Sequence, residues 1–160
     1  MERGDRVADF ELPDESGAPR RLSEFLALGP VVLFFYPAAL SRGCTAESCH
    51  FRDLAAEFSA LGAQTIGIST DAVERQQEFS ERYSLGYPLL SDVDGEVAAQ
   101  FGVKRRIGPI PVKRWTFVID GDGLVVEVIK SETHMTRHAD RALEILREHT
   151  SARTPPPGAV

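Results

Sequence analysis

Cysteine is nearly absent from this chain: of 160 residues only Cys44 and Cys49 carry thiols, and both fall in one short stretch. That excludes a disulfide-stapled scaffold, and a chain of this length can bury a sufficient core without staples. Positive charge is also in short supply. Eighteen Lys and Arg face 24 Asp and Glu, and the formal net charge of −6 argues against a general nucleic-acid binder, which needs clustered cations for phosphate. One basic exception, Lys104, Arg105, Arg106, Lys113 and Arg114 within eleven residues, reads chiefly as a solvated loop. No run approaches the roughly 20 apolar residues of a bilayer span, so no membrane partner is expected. The N-terminal string MERGDRVADF is charged and lacks the apolar core of a secretory signal, which makes a cytosolic (cytoplasmic) location the expectation. There, paired thiols are more often catalytic, sensing or metal-binding than structural.

What is present has the rhythm of an α/β protein. Phe10 and Leu12, then 20–22, flank a turn-rich segment and predict an N-terminal β-hairpin, with Ser23 as N-cap of a brief helix to Leu28. A continuous apolar run over 31–36 predicts a strand buried on both faces. Pro37 breaks it, and helical periodicity restarts around Cys44. Phe51, Leu54, Ala55 and Phe58 then make one apolar stripe, and Gly62 ends the helix. A strand over 64–69 and a mostly polar edge helix over 72–83 follow, the latter with a thin stripe of Val73, Phe79 and Tyr83. Further expectations are a short strand over 87–90, a one- or two-turn helix carrying Val97 and Phe101, and an irregular loop over 103–113. Strands over 115–119 and 124–129 are joined by the Asp120-Gly121-Asp122-Gly123 turn. A last helix begins near Thr136 and buries Ala139, Ala142, Leu143 and Leu146. Strand–helix alternation implies right-handed crossovers and a parallel core, and the closing hairpin makes the sheet mixed, with helices on both faces. One domain over 1–150 and a disordered tail over 151–160 are expected.

The cysteines lie just past the carboxyl end of a central strand, where sites in such folds cluster. Five residues of helix give about 140° of net rotation and about 7.5 Å of rise, placing the two Cα atoms roughly 8–9 Å apart. A disulfide needs less than about 7 Å, so the pair cannot bond while the helix is intact. Counted from Phe51, Cys44 falls about 20° from the apolar stripe and Cys49 about 160° from it, so Cys44 faces inward and Cys49 outward. A zinc site of Cys44, Cys49 and His50 lacks a fourth ligand at a usual spacing. A dithiol exchanger would need C-x-x-C, which is absent. Two ordinary thiols, one buried and one exposed, remain open on spacing alone.

The surrounding residues narrow the choice. Pro37-x-x-x-Ser41-x-x-Cys44 resembles the peroxiredoxin signature. The string FYPAALSRGCTAESCHFRD is similar to that of the bacterioferritin comigratory protein / peroxiredoxin Q subfamily of AhpC/TSA-like proteins. The resemblance extends from GDRVADFELPD through YPLLSD to RWTFVID and implies a thioredoxin-like fold. Ser41 stands for the commoner threonine, and Arg42 stands where the subfamily usually has proline, which would stiffen the loop.

Only a thiolate is nucleophilic, so a reactive Cys44 needs stabilised negative charge. The helix N-terminus offers N–H groups around Gly43 to Thr45, and the resemblance assigns the family's active-site arginine to Arg114. Lys113 is a weaker candidate because an ammonium lacks the planar fork. By the same resemblance Ser41 would orient the peroxide, Pro37 would shield the pocket unless it merely ends the strand, and Glu47 would brace an arginine or favour the helix N-terminus. His50, His134, His138 and His149 have no evident partners and are expected at the surface or as caps. The implied activity is a thiol peroxidase of the atypical two-cysteine kind. Cys44 would become a sulfenic acid, Cys49 would resolve it as an intramolecular disulfide, and thioredoxin would recycle it. No cofactor or metal is expected, the substrate is a hydroperoxide, and the chain is expected to be a monomer or weak homodimer. A non-enzymatic redox switch and an inert thioredoxin-like binding module are the competing classes.

Overall fold

The computed structural model describes residues 1–153. The turn-rich N-terminal segment closes into an antiparallel hairpin of β1 (Glu11–Pro13) and β2 (Pro19–Arg21), with Leu12 opposite Arg20. The short helix α1 (Leu22–Leu26) follows directly. Its N-cap is Arg21, so the expected capping role of Ser23 is not realised; Ser23 instead ties the helix to Asp9, its N–H and hydroxyl each donating at 2.9 Å to the carboxylate. The carboxylate, arriving from before the hairpin, offers a stronger acceptor than a serine hydroxyl.

The run Val-Val-Leu-Phe-Phe forms β3 (Val31–Phe35), fully buried throughout. Its neighbours come in order along the chain. The helix α2 (Arg42–Asp53) and the one-and-a-half-turn α3 (Ala55–Ala60) lead to β4 (Gln64–Ser69), parallel to β3. Helix α4 (Val73–Tyr83) leads to β5 (Leu89–Ser91), parallel to β4 at the sheet edge. After α5 (Glu96–Gln100) and the loop, β6 (Trp115–Ile119) returns antiparallel to β3. Strand β7 (Val125–Lys130) pairs antiparallel with β6, and α6 (Arg137–Arg153) closes the described chain. The sheet order β5-β4-β3-β6-β7 is mixed, as the alternation of elements and the closing turn predict. Helix α6 runs past Thr150 to Arg153, and the rest of the expected tail lies outside the described residues. Among the described residues no helix is long and apolar enough to cross a membrane.

Alternation along β3 feeds two cores. Val31, Leu33 and Phe35 pack with Leu22 and Phe25 of α1, Val97 of α5, and Phe117. Val32, Phe34 and Tyr36 pack with Cys44, Phe51, Phe58, Phe79 and the apolar stripe of α6. Helices therefore cover both faces. Phe34 and Phe51 stack with ring centroids 4.3 Å apart and planes 12° from parallel, which fastens the middle of α2 to the central strand. Gly67 makes room for this layer: a Cβ there would stand 3.0 Å from both Phe34 and Tyr36 and 2.9 Å from Leu89.

Two local departures stand out. The single stripe expected from Cys44 to Gly62 is two helices, because Leu54 adopts φ −97° and ψ 8° and breaks the ladder. The apolar periodicity carries across the break, so the pattern gives no sign of it. In α4 the buried face includes Gln76 as well as Phe79. The Gln76 amide donates to Ser69 Oγ and to the Leu90 carbonyl, each at 2.9 Å, and its oxygen accepts from the buried Tyr36 hydroxyl. A buried polar side chain is tolerated when all its bonds are made.

Removing the stacked ring is the direct test of how α2 is held. Phe51→Ala is expected to lower unfolding free energy by about 3–5 kcal/mol, the usual range for a fully buried aromatic, read from urea denaturation by circular dichroism.

Candidate active site

Antiparallel pairing explains how residues 70 positions apart meet. The register Val31↔Ile119 to Phe34↔Thr116 sets the carboxyl end of β3 beside the amino end of β6. Whatever follows β3 must therefore face whatever precedes β6. Cys44 follows the first and Arg114 precedes the second. Arg114 Nη1 donates to Cys44 Sγ at 3.3 Å and to Glu47 Oε2 at 3.3 Å, with Cys44 and Glu47 fully buried and Arg114 nearly so.

Cys44 is the third residue of α2, inside the first turn, where backbone N–H groups lack intrahelical acceptors. Gly43 lets the guanidinium come close. A Cβ at this position would lie 3.3 Å from Arg114 Nη2 and 3.1 Å from the Met135 methyl. The preceding loop is tied down from outside: Ala39 N–H donates at 2.7 Å to Asp71, which also accepts from Ser69 Oγ at 2.7 Å. Leu40 in that loop takes φ 67°, a left-handed conformation costly for a branched side chain.

Glu47 answers the question its position posed. It lies on the inward face of α2 and braces Arg114, while its Oε1 is buried without a hydrogen-bond partner among the described residues. Burial pushes its carboxyl up to about 8, against the pull of Arg114, with Glu132 adding a smaller push in the same direction. Burial thus favours the protonated carboxyl, and the Arg114 contact works against it. Burial alone would lower the Arg114 pKa, but Glu47 and Cys44 together outweigh it and raise it. The Arg114 backbone N–H donates to Glu132 at 3.2 Å, and Glu132 also pairs with Arg105 at 3.3 Å.

The remaining expected residues divide. Ser41 is the N-cap residue of α2, yet its hydroxyl donates to the Ala38 carbonyl at 2.8 Å and not to the helix. Its lone pairs are left for another donor. Pro37 is half-buried just past β3. Lys113 stands apart from the thiol, its ammonium lying 4.8 Å from the centre of the Trp115 ring. Cys44 and Cys49 are both free thiols. Cys49 is half-buried rather than fully outward, packed beside the α2 core, and its thiol is raised chiefly by burial, with Arg52 opposing and Asp53 reinforcing.

His134 is exposed, as expected, whereas His50 and His138 depart from the expectation of surface or capping residues without partners. His50 meets Asp140 at 2.6 Å, linking α2 to α6. His138 is fully buried: Nδ1 meets Thr116 Oγ1 and Nε2 meets the Ser131 carbonyl, each at 2.7 Å. Its Nε2 is 3.8 Å from Glu47 Oε2. The connection 131–136 between β7 and α6, with Glu132 and Met135, forms a wall of the site that the sequence analysis left out. One signal was available. His138 sits a turn before Ala142 on the same stripe that buries α6, so a histidine there faces the core.

A family model described as the AhpC/TSA family matches residues 3–128. The chain is 36% identical over 154 residues to peroxiredoxin Bcp of Escherichia coli, covering 93% of this chain and 97% of the relative. The crystal structure of peroxidoxin BcpB from Mycobacterium tuberculosis superposes with a TM-score of 0.89 at 61% identity, covering 92% of this chain and 97% of that one. The bacterioferritin comigratory protein of Xanthomonas campestris, whose structures were solved to study its alkyl peroxide reduction activity, gives a TM-score of 0.80 at 29% identity over 88% of this chain and 92% of that one. The thiol and guanidinium brought together by the sheet thus stand in a chain that belongs to the AhpC/TSA family, among the peroxiredoxins of the Q and bacterioferritin comigratory kind.

Proposed function

We propose that this peroxiredoxin reduces hydroperoxides with Cys44 as the attacking thiolate and Cys49 as the thiol that resolves it. The observation that carries the reading is the buried contact of Arg114 on Cys44 Sγ at the first turn of α2. A cation fixed on the sulfur stabilises the anion that attacks, in a site from which water is excluded. The sulfur attacks the distal peroxide oxygen, the S–O bond forms as the O–O bond breaks, and the departing alkoxide or hydroxide takes up a proton. Cys44 becomes a sulfenic acid. Ser41, with free lone pairs at the end of the loop, suits the role of orienting the peroxide, and Pro37 that of a wall without an N–H.

Resolution requires the helix to open. Cys49 Sγ attacks the sulfenic sulfur, hydroxide leaves and is protonated to water, and a disulfide forms. An external dithiol of the thioredoxin type then exchanges with it, becoming oxidised as the two cysteines are reduced. Burial keeps the Cys49 thiol up while α2 is wound, so the resolving thiol becomes an ordinary one only after local unwinding. Three side-chain ties hold this part of α2: the Tyr87 hydroxyl donates to the Ser48 carbonyl at 2.7 Å, Arg52 donates to the Tyr83 carbonyl at 2.6 Å, and His50 meets Asp140.

Peroxide-dependent NADPH consumption in a coupled thioredoxin assay tests the reading. Cys44→Ser is expected to abolish turnover, and Cys49→Ser to give a single turnover ending in sulfenic acid; sustained thioredoxin-linked turnover by Cys49→Ser would remove the resolving role. Tyr87→Phe deletes one tie without orphaning a helical carbonyl. It is expected to speed disulfide formation after the sulfenic acid by about fivefold, read by stopped-flow fluorescence. Glu47 supplies a pH signature. With a folded value of about 8 against an ordinary 4.5, it holds a proton that the unfolded chain has released, so its contribution to stability falls as pH rises through that window. Between about pH 6.5 and about pH 8 the wild type is expected to lose more stability than Glu47→Gln, measured by chemical denaturation at each pH.

A further inference from the structure

Residues 36–41, which join β3 to α2, are held by a run of hydrogen bonds that leaves this segment at Tyr36 and returns to it at Ala39. The Tyr36 hydroxyl donates to Gln76 Oε1 of α4. Gln76 Nε2 donates to Ser69 Oγ at 2.9 Å, which turns the serine's own proton toward Asp71 Oδ2, 2.7 Å away. The same Asp71 oxygen accepts from the Ala39 N–H at 2.7 Å. Tyr36, Ala39, Ser69 and Gln76 are fully buried, and Asp71 is half-buried at the turn between β4 and α4. Every donor in the run has its acceptor, and the last link, a carboxylate on a backbone N–H, is of the stronger kind.

The Ala39 N–H and the Ala38 carbonyl belong to one peptide group, and a planar peptide turns as a unit. Asp71 grips its N–H end. Its carbonyl end accepts from Ser41 twice, from the hydroxyl at 2.8 Å and from the backbone N–H at 3.3 Å. Fixing one end therefore aims the other. Serine has a single hydroxyl proton, so the carbonyl that claims it also decides where the two lone pairs point. Leu40, between this peptide and Ser41, sits at φ 67°, a conformation that persists only where the surroundings over-determine it. We propose that Asp71 is a positioning residue of the thiol site: by holding the Ala38–Ala39 peptide it aims the Ser41 hydroxyl, so that its lone pairs can accept from a hydroperoxide.

A plain structural staple would loosen the whole site when cut. The Arg114 contact on Cys44 is made by the residue preceding β6 and the first turn of α2, and no hydrogen bond of Asp71 reaches either side chain. Loss of Asp71 is therefore felt by a reaction that uses Ser41 and not by one that uses the thiolate alone.

The inference rests on Cys44 being the peroxide-reactive thiol and Ser41 the group that orients the peroxide, so each variant is made in the Cys49→Ser background and followed in three ways. These are stopped-flow oxidation by hydrogen peroxide, alkylation of Cys44 by iodoacetamide, and hydrogen exchange of the Ala39 and Ser41 amides by NMR, which involves no reaction at the thiol. Asp71→Ala is expected to slow peroxide oxidation about tenfold, as a misdirected hydroxyl would. Alkylation, which needs only the thiolate, is expected to stay within about twofold of the parent. The Ala39 and Ser41 amides are expected to exchange about tenfold faster or more. In Asp71→Asn the amide oxygen takes the place of Oδ2, and peroxide oxidation is expected within about threefold of the parent, with amide protection restored. Adding Asp71→Ala to Ser41→Ala should slow oxidation by less than about twofold, since a residue that acts through Ser41 has little left to act on. Equal slowing of oxidation and alkylation in variants that remain folded by circular dichroism would overturn the proposal. So would an undiminished effect of Asp71→Ala in the Ser41→Ala background. If the parent reacts with peroxide no faster than free cysteine, the peroxidase reading falls. Faster amide exchange in Asp71→Ala, restored in Asp71→Asn, would then leave the positioning of Ser41 standing, and unaltered exchange would remove that as well.

Discussion

One guanidinium set against one sulfur is the constraint from which the rest of this structure follows. Arg114 has to be desolvated to be useful, and desolvating a cation is costly unless its donors are taken up. Cys44 and Glu47 of α2 accept from the guanidinium, while Glu132 in the connection to α6 accepts from the Arg114 backbone N–H. Each imposes a condition of its own. A Cβ at Gly43 would crowd Nη2 at 3.3 Å, Glu47 is buried with one oxygen lacking a partner among the described residues, and β6 must run antiparallel to β3 so that the residue preceding it reaches the thiol. A parallel β6 would place Arg114 at the opposite end of the sheet.

The helix that presents Cys44 is held unevenly. Its middle is anchored by the Phe34–Phe51 stack, and ties from Tyr87, Arg52 and His50 cluster at Ser48 to Arg52. Its first turn has no side-chain cap, since Ser41 spends its hydroxyl on Ala38, and it lacks the proline that would preset the helix start. Local opening free energies in proteins follow this kind of distribution, lowest where contacts are fewest. A chain that must let α2 open and still keep its fold is well served by anchoring the far half and leaving the near half uncapped.

What could be read from the sequence was set by how local each cause is. The strands around Val31 and Trp115, the Asp-Gly turn and the buried stripe of α6 depend on short-range periodicity, and they stand where periodicity puts them. The inward face of Cys44 follows from counting rotation along one helix. The partner of Cys44 does not, because the meeting of Arg114 with the thiol is a property of strand direction and register, and family resemblance alone pointed to it. The break at Leu54 was hidden for the opposite reason: apolar spacing continues smoothly across a residue whose backbone does not. Gln76 and His138 share a third cause. A polar residue on an apolar stripe looks like an exception to the pattern, whereas burial with every bond made turns it into a strut. Ser23 shows the reverse, a good cap residue outcompeted by a carboxylate from an earlier segment.

The spacing of the two cysteines has a thermodynamic consequence for the reductant. With both thiols on one wound helix, roughly 8–9 Å apart along it, the disulfide of the proposed cycle exists only in a chain that has given up part of α2. Oxidation and unwinding are then one transition, and reduction returns the free energy of rewinding along with that of thiol exchange. Each 1.4 kcal/mol of recovered helix makes the couple about 30 mV more oxidising, which lets a modest dithiol donor drive the exchange to completion. The packing between α2 and the sheet thus acts as a setting on the electrochemical potential, and substitutions far from either sulfur can retune it by changing how firmly that helix lies down.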